Sequence, residues 1–329
     1  MLQIFRVNHL VNSLLLFPYA LVLNHRLFFS GMDEYRSQAD GLIATWVQDF
    51  NMQYPFWSVL FFVFILFVQA LTINRISIVF RIGSEANLYP GMLYLLICSF
   101  FPAFQVLSGL LIGQMFFLIG LYHLFNTYKR HRDVGNLFNS AFWVGVASLF
   151  YIPFLIGVPL ILFGGFILKS MKTRDFLLIL NGILVPVFLV GTYYYLRGDL
   201  GLFADYYFPP EMGFQFILLP DSIETLIPTM LMFVALIIAL VNYQTYISKK
   251  GLRSKKNVEI IYILLLLQGL STLFFPQIEL QHMILMAIPL SLLLQDTLLK
   301  IDNQLTAEII HLFLLSTLFF FQYQNIIEM

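Results

Sequence analysis

Asp33 and Glu34 are adjacent carboxylates in the polar stretch Gly31-Met32-Asp33-Glu34-Tyr35-Arg36. A carboxylate held beside a membrane surface has two chemical uses. It acts as general base on an acceptor, or it binds a divalent metal ion that steadies a phosphate. Asp33 is the first choice for either role and Glu34 the second, with Arg36 as the neighbouring substrate contact. The competing reading is a solvated acidic turn with no chemical role.

Two further groups raise the same question. Asp199, Asp205 and Glu211 flank the run Tyr206-Tyr207-Phe208-Pro209-Pro210. Acids and aromatics together can line a sugar site, with Asp205 as a substrate contact, and the same aromatics equally serve as interfacial anchors. Glu279 and His282 stand at i and i+3, which puts them on one helix face. Ionisable groups at membrane depth are functional candidates by default. These two fall near an interface, where hydration is cheap, and they too are taken as substrate contacts. Asp296 is expected to reach the opposite interface beside Lys300. No CxxC, HExxH or paired-histidine spacing points to a metal motif, and the lone Cys98 cannot form an intrachain disulfide.

The elements that position these residues follow from composition. Hydrophobic residues make up 60% of the chain, charged residues only 11%, and mean hydropathy is +0.84. Soluble domains sit near 45–50% apolar and about 25% charged, so lipid is the expected solvent. Net charge is zero, which removes any global basic field for nucleic acid. A membrane-spanning helix needs about 20 mostly apolar residues, and about eleven candidates emerge. They cover residues 9–28, 55–74, 88–106, 108–127, 136–152, 154–168, 176–196, 225–247, 258–276, 280–299 and 307–323. The N-terminus shows no clear cleavage site and reads as the first span. The turns near 107 and 153 are tight, so either could be a bent or re-entrant element. The fold class is all-α, a polytopic transmembrane bundle. The basic stretch 248–257 divides a module over 1–247 from C-terminal helices over 248–329.

Loop charges orient the bundle. Loops 75–87, 128–135, 169–175 and 248–257 are basic and fall on every second connection, whereas loops 29–54 and 197–224 are long and acidic. Lys and Arg mark the cytoplasmic side. The alternation predicts a multi-pass membrane protein with the N-terminus cytoplasmic and the C-terminus and both acidic loops outside. Within the first acidic loop, Ala39, Leu42, Ile43, Trp46, Val47 and Phe50 recur at helical spacing. This predicts an amphipathic helix over 38–51 on the outer surface. Gln69, Gln105, Gln114, Asn126, Asn181 and Gln268 are expected to hydrogen-bond between helices. The basic loops need no role beyond topology.

This order of features resembles the GT-C glycosyltransferases, which use polyprenyl-phosphate sugars. In that family an acidic motif, often Asp-Glu, stands in the first outer loop and surface helices follow it, as Asp33-Glu34-Tyr35-Arg36 and the 38–51 helix do here. Phe101-Pro102, then Tyr128-Lys129-Arg130, then Phe142-Trp143-Val144-Gly145-Val146-Ala147-Ser148-Leu149 are similar in texture to the family's N-terminal module. The whole chain, especially 136–196, also resembles an uncharacterised family of polytopic membrane proteins of Bacteroidota. The GT-C resemblance implies sugar transfer from a polyprenyl-phosphate carrier at the outer face, with Asp33 and Glu34 as catalytic residues. Three departures stand beside it. Phe150-Tyr151 replaces the family's Thr-Lys, no second acidic pair lies between the third and fourth spans, and the large outer domain that many members carry is missing. The last two motivate a second reading, a non-enzymatic subunit or scaffold with envelope-assembly proteins as partners. A transporter or lipid flippase ranks third, because no polar pathway or inverted repeat is visible.

Overall fold

The computed structural model describes residues 2–32, 41–101, 104–128, 135–207, 223–248, 250–274, 280–301 and 303–327. Regular structure among them is helical, with no β-strand. Among the described residues, four helices are long and apolar enough to cross a membrane: Pro55–Val79, Thr173–Arg197, Gln281–Leu299 and Gln304–Tyr323. Large apolar side chains remain exposed on them, among them Phe188 at 70% and Phe313 at 65%. Water would oppose that exposure and lipid does not, so the chain is a helical membrane protein.

From the N-terminus, α1 (Leu2–Arg6), α2 (Leu10–Leu14), α3 (Leu16–Leu23) and α4 (Leu27–Ser30) are pieces of the segment expected as one span over 9–28. Asn24 stands at the break after α3. Its amide donates to the Ala20 carbonyl and to Ser99 Oγ, each at 3.0 Å. The surface helix is α5 (Ala44–Gln53), preceded by a turn at 42–43, so it starts later than the spacing predicts. Trp46 is 66% exposed, while Val47 and Phe50 pack on the core, which is the expected two-faced pattern. Then come α6 (Pro55–Val79), α7 (Tyr89–Phe100), α8 (Gly109–Phe125), α9 (Gly135–Phe150), α10 (Gly157–Leu168) and α11 (Thr173–Arg197). A short α12 (Leu200–Tyr207) precedes α13 (Ile223–Val241), α14 (Tyr243–Ser248), α15 (Leu252–Phe274), α16 (Ala287–Leu299) and α17 (Gln304–Ile327).

Helix occurs within each stretch expected as a span, but several of the helices are too short to cross a membrane by themselves. The 12 residues of α7 rise about 18 Å at 1.5 Å per residue, against an apolar thickness of about 30 Å. Two helices gain length from 3-10 lead-ins, Ile152–Ile156 before α10 and Leu280–Met286 before α16. Pro153 sits in the first turn of one lead-in, where a missing N–H costs nothing. This resolves the tight turn at 153: α9 stops at Phe150, Tyr151 is extended, and a 3-10 turn starts the next element.

Helix α16 lies at the centre, with 72% of its span buried, whereas α11 is peripheral at 17%. Helix α9 packs between α8 and α11. Small residues allow the approach: a Cβ on Gly182 of α11 would stand 2.7 Å from the Ala141 Cβ of α9.

One end of the bundle is fastened by charge. Helix α6 runs into Arg81, whose φ of 53° is left-handed. The turn offers three successive carbonyls to the start of α15. Asn257 Nδ2 donates to the Phe80 oxygen at 3.1 Å. Ser254 Oγ and Lys250 Nζ donate to the oxygens of Arg81 and Ile82. Lys256 Nζ donates to the Ile167 oxygen near the end of α10. A helix C-terminus leaves carbonyls unpaired and carries partial negative charge, so cationic and amide donors suit it. Lys250 also pairs with Asp296 at 3.1 Å, and the Ser84 N–H donates to Asp296 at 2.8 Å. Two expectations are corrected here. Asp296 is buried and paired with Lys250 rather than reaching the interface beside Lys300, and the basic 248–257 stretch does more than mark topology. Burial pushes the Lys250 ammonium below the usual lysine range, and the Asp296 carboxylate opposes that shift.

Candidate functional site

At the other end of α15 the polar groups among the described residues carry no charge. His282, in the 3-10 lead-in to α16, is 1% exposed. The sequence places it where hydration is cheap. The structure corrects this, because two hydroxyls take the place of water. Tyr151 Oη lies 2.9 Å from its Nδ1 and Ser271 Oγ lies 2.6 Å from its Nε2. The Ser271 hydroxyl donates to the Gln268 carbonyl at 2.7 Å. With that proton committed, Nε2 carries the ring hydrogen and donates to Ser271, while Nδ1 accepts from Tyr151. The result is a directional relay, Tyr151 to His282 to Ser271 to the α15 backbone. A neutral imidazole with both nitrogens engaged would lose one of these bonds on binding a metal. Among the described residues, no three His, Cys, Asp or Glu side chains gather as a metal site.

Tyr151 follows Phe150, and other segments dock on this same stretch. The Gly41 N–H donates to the Phe150 carbonyl at 2.7 Å. A Cβ on Gly41 would stand 2.0 Å from the Leu149 carbonyl oxygen, so the approach requires glycine. Asn51 of α5 donates to the Leu107 carbonyl at 2.8 Å, which holds the surface helix to the start of α8. Met32, on the other flank of the acidic stretch, also packs against the core. From the second acidic loop, Tyr206 Oη donates to the Ser148 carbonyl at 2.6 Å, and Tyr207 Oη lies 3.4 Å from Ser148 Oγ. Burial holds the Tyr207 phenol above its usual range. Phe116 stacks on Phe150 with ring centroids 5.3 Å apart.

Buried amides surround the relay with hydrogen-bonding capacity to spare. Gln268, one turn before Ser271, is 1% exposed, and among the described residues neither of its amide atoms has a partner. Gln281 Nε2, next in sequence to His282, is also unpaired among them. Gln114 donates to the Ile284 carbonyl at 3.3 Å and keeps Oε1 free of a described partner. Leaving such groups dry costs about 1–3 kcal/mol each, so this neighbourhood suits a ligand with hydroxyls.

The candidates read from sequence meet different fates. His282 joins the relay. Asp205 is exposed on α12, so the tyrosines beside it, not the carboxylate, join the Ser148 segment. Asp33, Glu34, Arg36 and Glu279 lie outside the described residues. Gln69 bridges helices as expected, donating to the Leu111 carbonyl at 2.7 Å and accepting from Tyr94 Oη at 2.6 Å. Asn126 and Asn181 instead bond within their own helices. Sequence reasoning misses Ser148, Tyr151 and Ser271, since isolated hydroxyls in apolar runs have no spacing signature. The available signal is Gln268 and Ser271 at i and i+3 in the apolar second half of α15.

Compared with known protein families, curated proteins and solved structures, the chain matches none.

Proposed function

We propose that the chain is a membrane glycosyltransferase of the GT-C kind, transferring a sugar from a polyprenyl-phosphate carrier at the outer face of a bacterial inner membrane. The observation that supports this most is the docking of Gly41 on Phe150. It ties the segment that follows the acidic pair to the neighbourhood of the Tyr151–His282–Ser271 relay and the α12 tyrosines. In this reading Asp33 takes the proton of the acceptor hydroxyl as the new glycosidic bond forms and the bond from the sugar to the carrier phosphate breaks, polyprenyl phosphate leaving with the electron pair, with Glu34 as second carboxylate. Arg36 meets the carrier phosphate, and Glu279 and Asp205 are further contacts. The relay and the buried glutamines supply neutral donors and acceptors for sugar hydroxyls. The donor set of Asp33 and Glu34 is all oxygen and suits a divalent cation, which would neutralise phosphate charge when bound.

The topology belongs to the same proposal. About eleven crossings, with 3-10 lead-ins completing the shorter ones, put the Lys250 end inside and the Tyr151 end outside. The test uses the purified protein in vesicles and follows release of polyprenyl phosphate from polyprenyl-phosphate-linked sugars. Asp33→Asn with Glu34→Gln lowers release by about 10²–10⁴-fold, the usual worth of a positioned base, and leaves membrane insertion unchanged. Full release from the double variant ends the proposal.

A further inference from the structure

Gln268 works against the stability of the bundle. Its side chain is 1% exposed, and among the described residues neither Nε2 nor Oε1 has a hydrogen-bond partner. Buried polar groups that serve packing are paired, and an unpaired one carries its full desolvation cost. Methionine at this position would keep the unbranched shape and remove that cost. A residue that opposes stability in this way marks a place where function sets the choice.

Two neighbouring amides add to the same inventory. Among the described residues, Gln114 of α8 keeps Oε1 and Gln281 keeps Nε2 without a partner. The fold brings the three glutamines together. The Gln268 carbonyl accepts from Ser271, and Ser271 meets His282. Gln281 adjoins His282 in the chain, and Gln114 reaches the Ile284 carbonyl two residues further on. Two amide nitrogens and two amide oxygens are thus spare, a set that suits hydroxyls, each of which donates and accepts. There is room beside Gln268. A Cβ on Gly269 would meet only Met286 Cε among the described residues, at 3.7 Å. Glycine inside a helix lowers its stability and is kept where a partner approaches the backbone. Charge narrows the ligand further. The stretches that carry the cluster, 109–125, 135–168 and 260–299, contain no lysine or arginine. A carboxylate on a sugar ring buried among these amides would lack a cation, a cost that a hydroxyl does not carry.

We infer that Gln268, with Gln114 and Gln281, selects an uncharged hexose over the corresponding hexuronate. Gln268 is the specificity residue of the three, since both of its amide atoms are spare. The inference takes the lipid-linked sugar from the sugar-transfer reading and rests on it.

The test follows unfolding of the full-length protein in mild detergent with polyprenyl phosphates bearing glucose, mannose or galactose, each beside its uronate. A neutral compound raises the unfolding midpoint of the parent, as a ligand of the folded state must, and its uronate raises it far less. Without ligand, Gln268→Met melts above the parent. With ligand, its midpoint shift shrinks. The KM for release of polyprenyl phosphate rises about tenfold, the worth of two neutral hydrogen bonds, while kcat changes little. Gln268→Leu, a second apolar replacement, behaves alike. A Gln268→Met protein that melts below the parent overturns the inference, because the amide would then be paired in the fold. A ligand shift that the substitution leaves unchanged also overturns it, since an ordered water would then be the sole partner of the amide. So does protection by uronates equal to that by hexoses, and so does protection by none of them. The two readings separate in the same experiment. Protection by a hexose that is never transferred removes sugar transfer and leaves this site standing. Release that Gln268→Met matches at every concentration removes this site and leaves transfer.

Discussion

Lys250, Ser254, Lys256 and Asn257 gather at the start of α15, and all four donate to backbone carbonyls of α10 or of the turn that ends α6. Near the other end of the same helix, Ser271 is joined to His282 and Tyr151 by hydrogen bonds between neutral groups, and Gln268 beside them keeps its amide without a described partner. In the first neighbourhood the cations are saturated by helix termini and by Asp296, and Asn257 Oδ1 is left without a partner among the described residues. The second retains unused hydrogen-bonding capacity in a dry setting. Among the described residues, charge therefore serves assembly at one end, and neutral hydrogen bonds join the helices at the other.

The largest effect that sharpens this contrast is expected at the charged end. Lys250→Met or Asp296→Leu alone strands a buried charge and costs about 3–5 kcal/mol, whereas the two together cost far less. Unfolding in mild detergent measures all three, and single variants no worse than the pair would remove the clamp from the account. Gly41→Val comes next. Its side chain would collide with the Leu149 and Phe150 backbone, an overpacking worth about 1–3 kcal/mol. The strain should be relieved by undocking the first loop, seen as faster amide hydrogen exchange over 41–53 with the 250–257 segment unchanged.

Tyr151→Phe tests the neutral end. It leaves His282 Nδ1 without its donor and costs about 1–2 kcal/mol. Ser148 contacts to α12 should persist, since they do not pass through the Tyr151 hydroxyl. An unfolding midpoint equal to the parent's would show that the relay contributes nothing to stability. The smallest effect has the opposite sign. Arg81 holds a left-handed conformation that costs a non-glycine residue about 1–2 kcal/mol. Arg81→Gly should therefore stabilise the protein by up to about 1 kcal/mol, after the greater freedom of glycine in the unfolded chain is offset. A loss of stability would mean that the Arg81 side chain matters more than its backbone.

Much of the fold is legible in the sequence because lipid imposes long apolar runs. Among the described residues, four of the expected spans are helices long and apolar enough to cross a membrane. What the runs do not show is where a helix yields to a 3-10 turn, since the apolar pattern continues unbroken through Ile152–Ile156 and Leu280–Met286. His282 stands out in sequence because an ionisable side chain in an apolar run is unusual. Its partners do not, because Tyr151 is 131 residues away and pairs only through the tertiary fold. The clamp is hidden for a different reason. Its geometry depends on a left-handed arginine at position 81, where glycine or asparagine is the usual signal. The basic stretch 248–257 is visible as charge, but its acceptors are backbone carbonyls, which every sequence contains.

The division between the two ends is tested most directly by following polyprenyl phosphate release in proteoliposomes, per folded molecule, for two double variants side by side. Asp33→Asn with Glu34→Gln should abolish release while leaving the unfolding midpoint intact. Lys250→Met with Asp296→Leu should keep release per folded molecule close to the parent's. Release that survives loss of both carboxylates, or that depends on the Lys250–Asp296 pair as strongly as on them, would contradict the account.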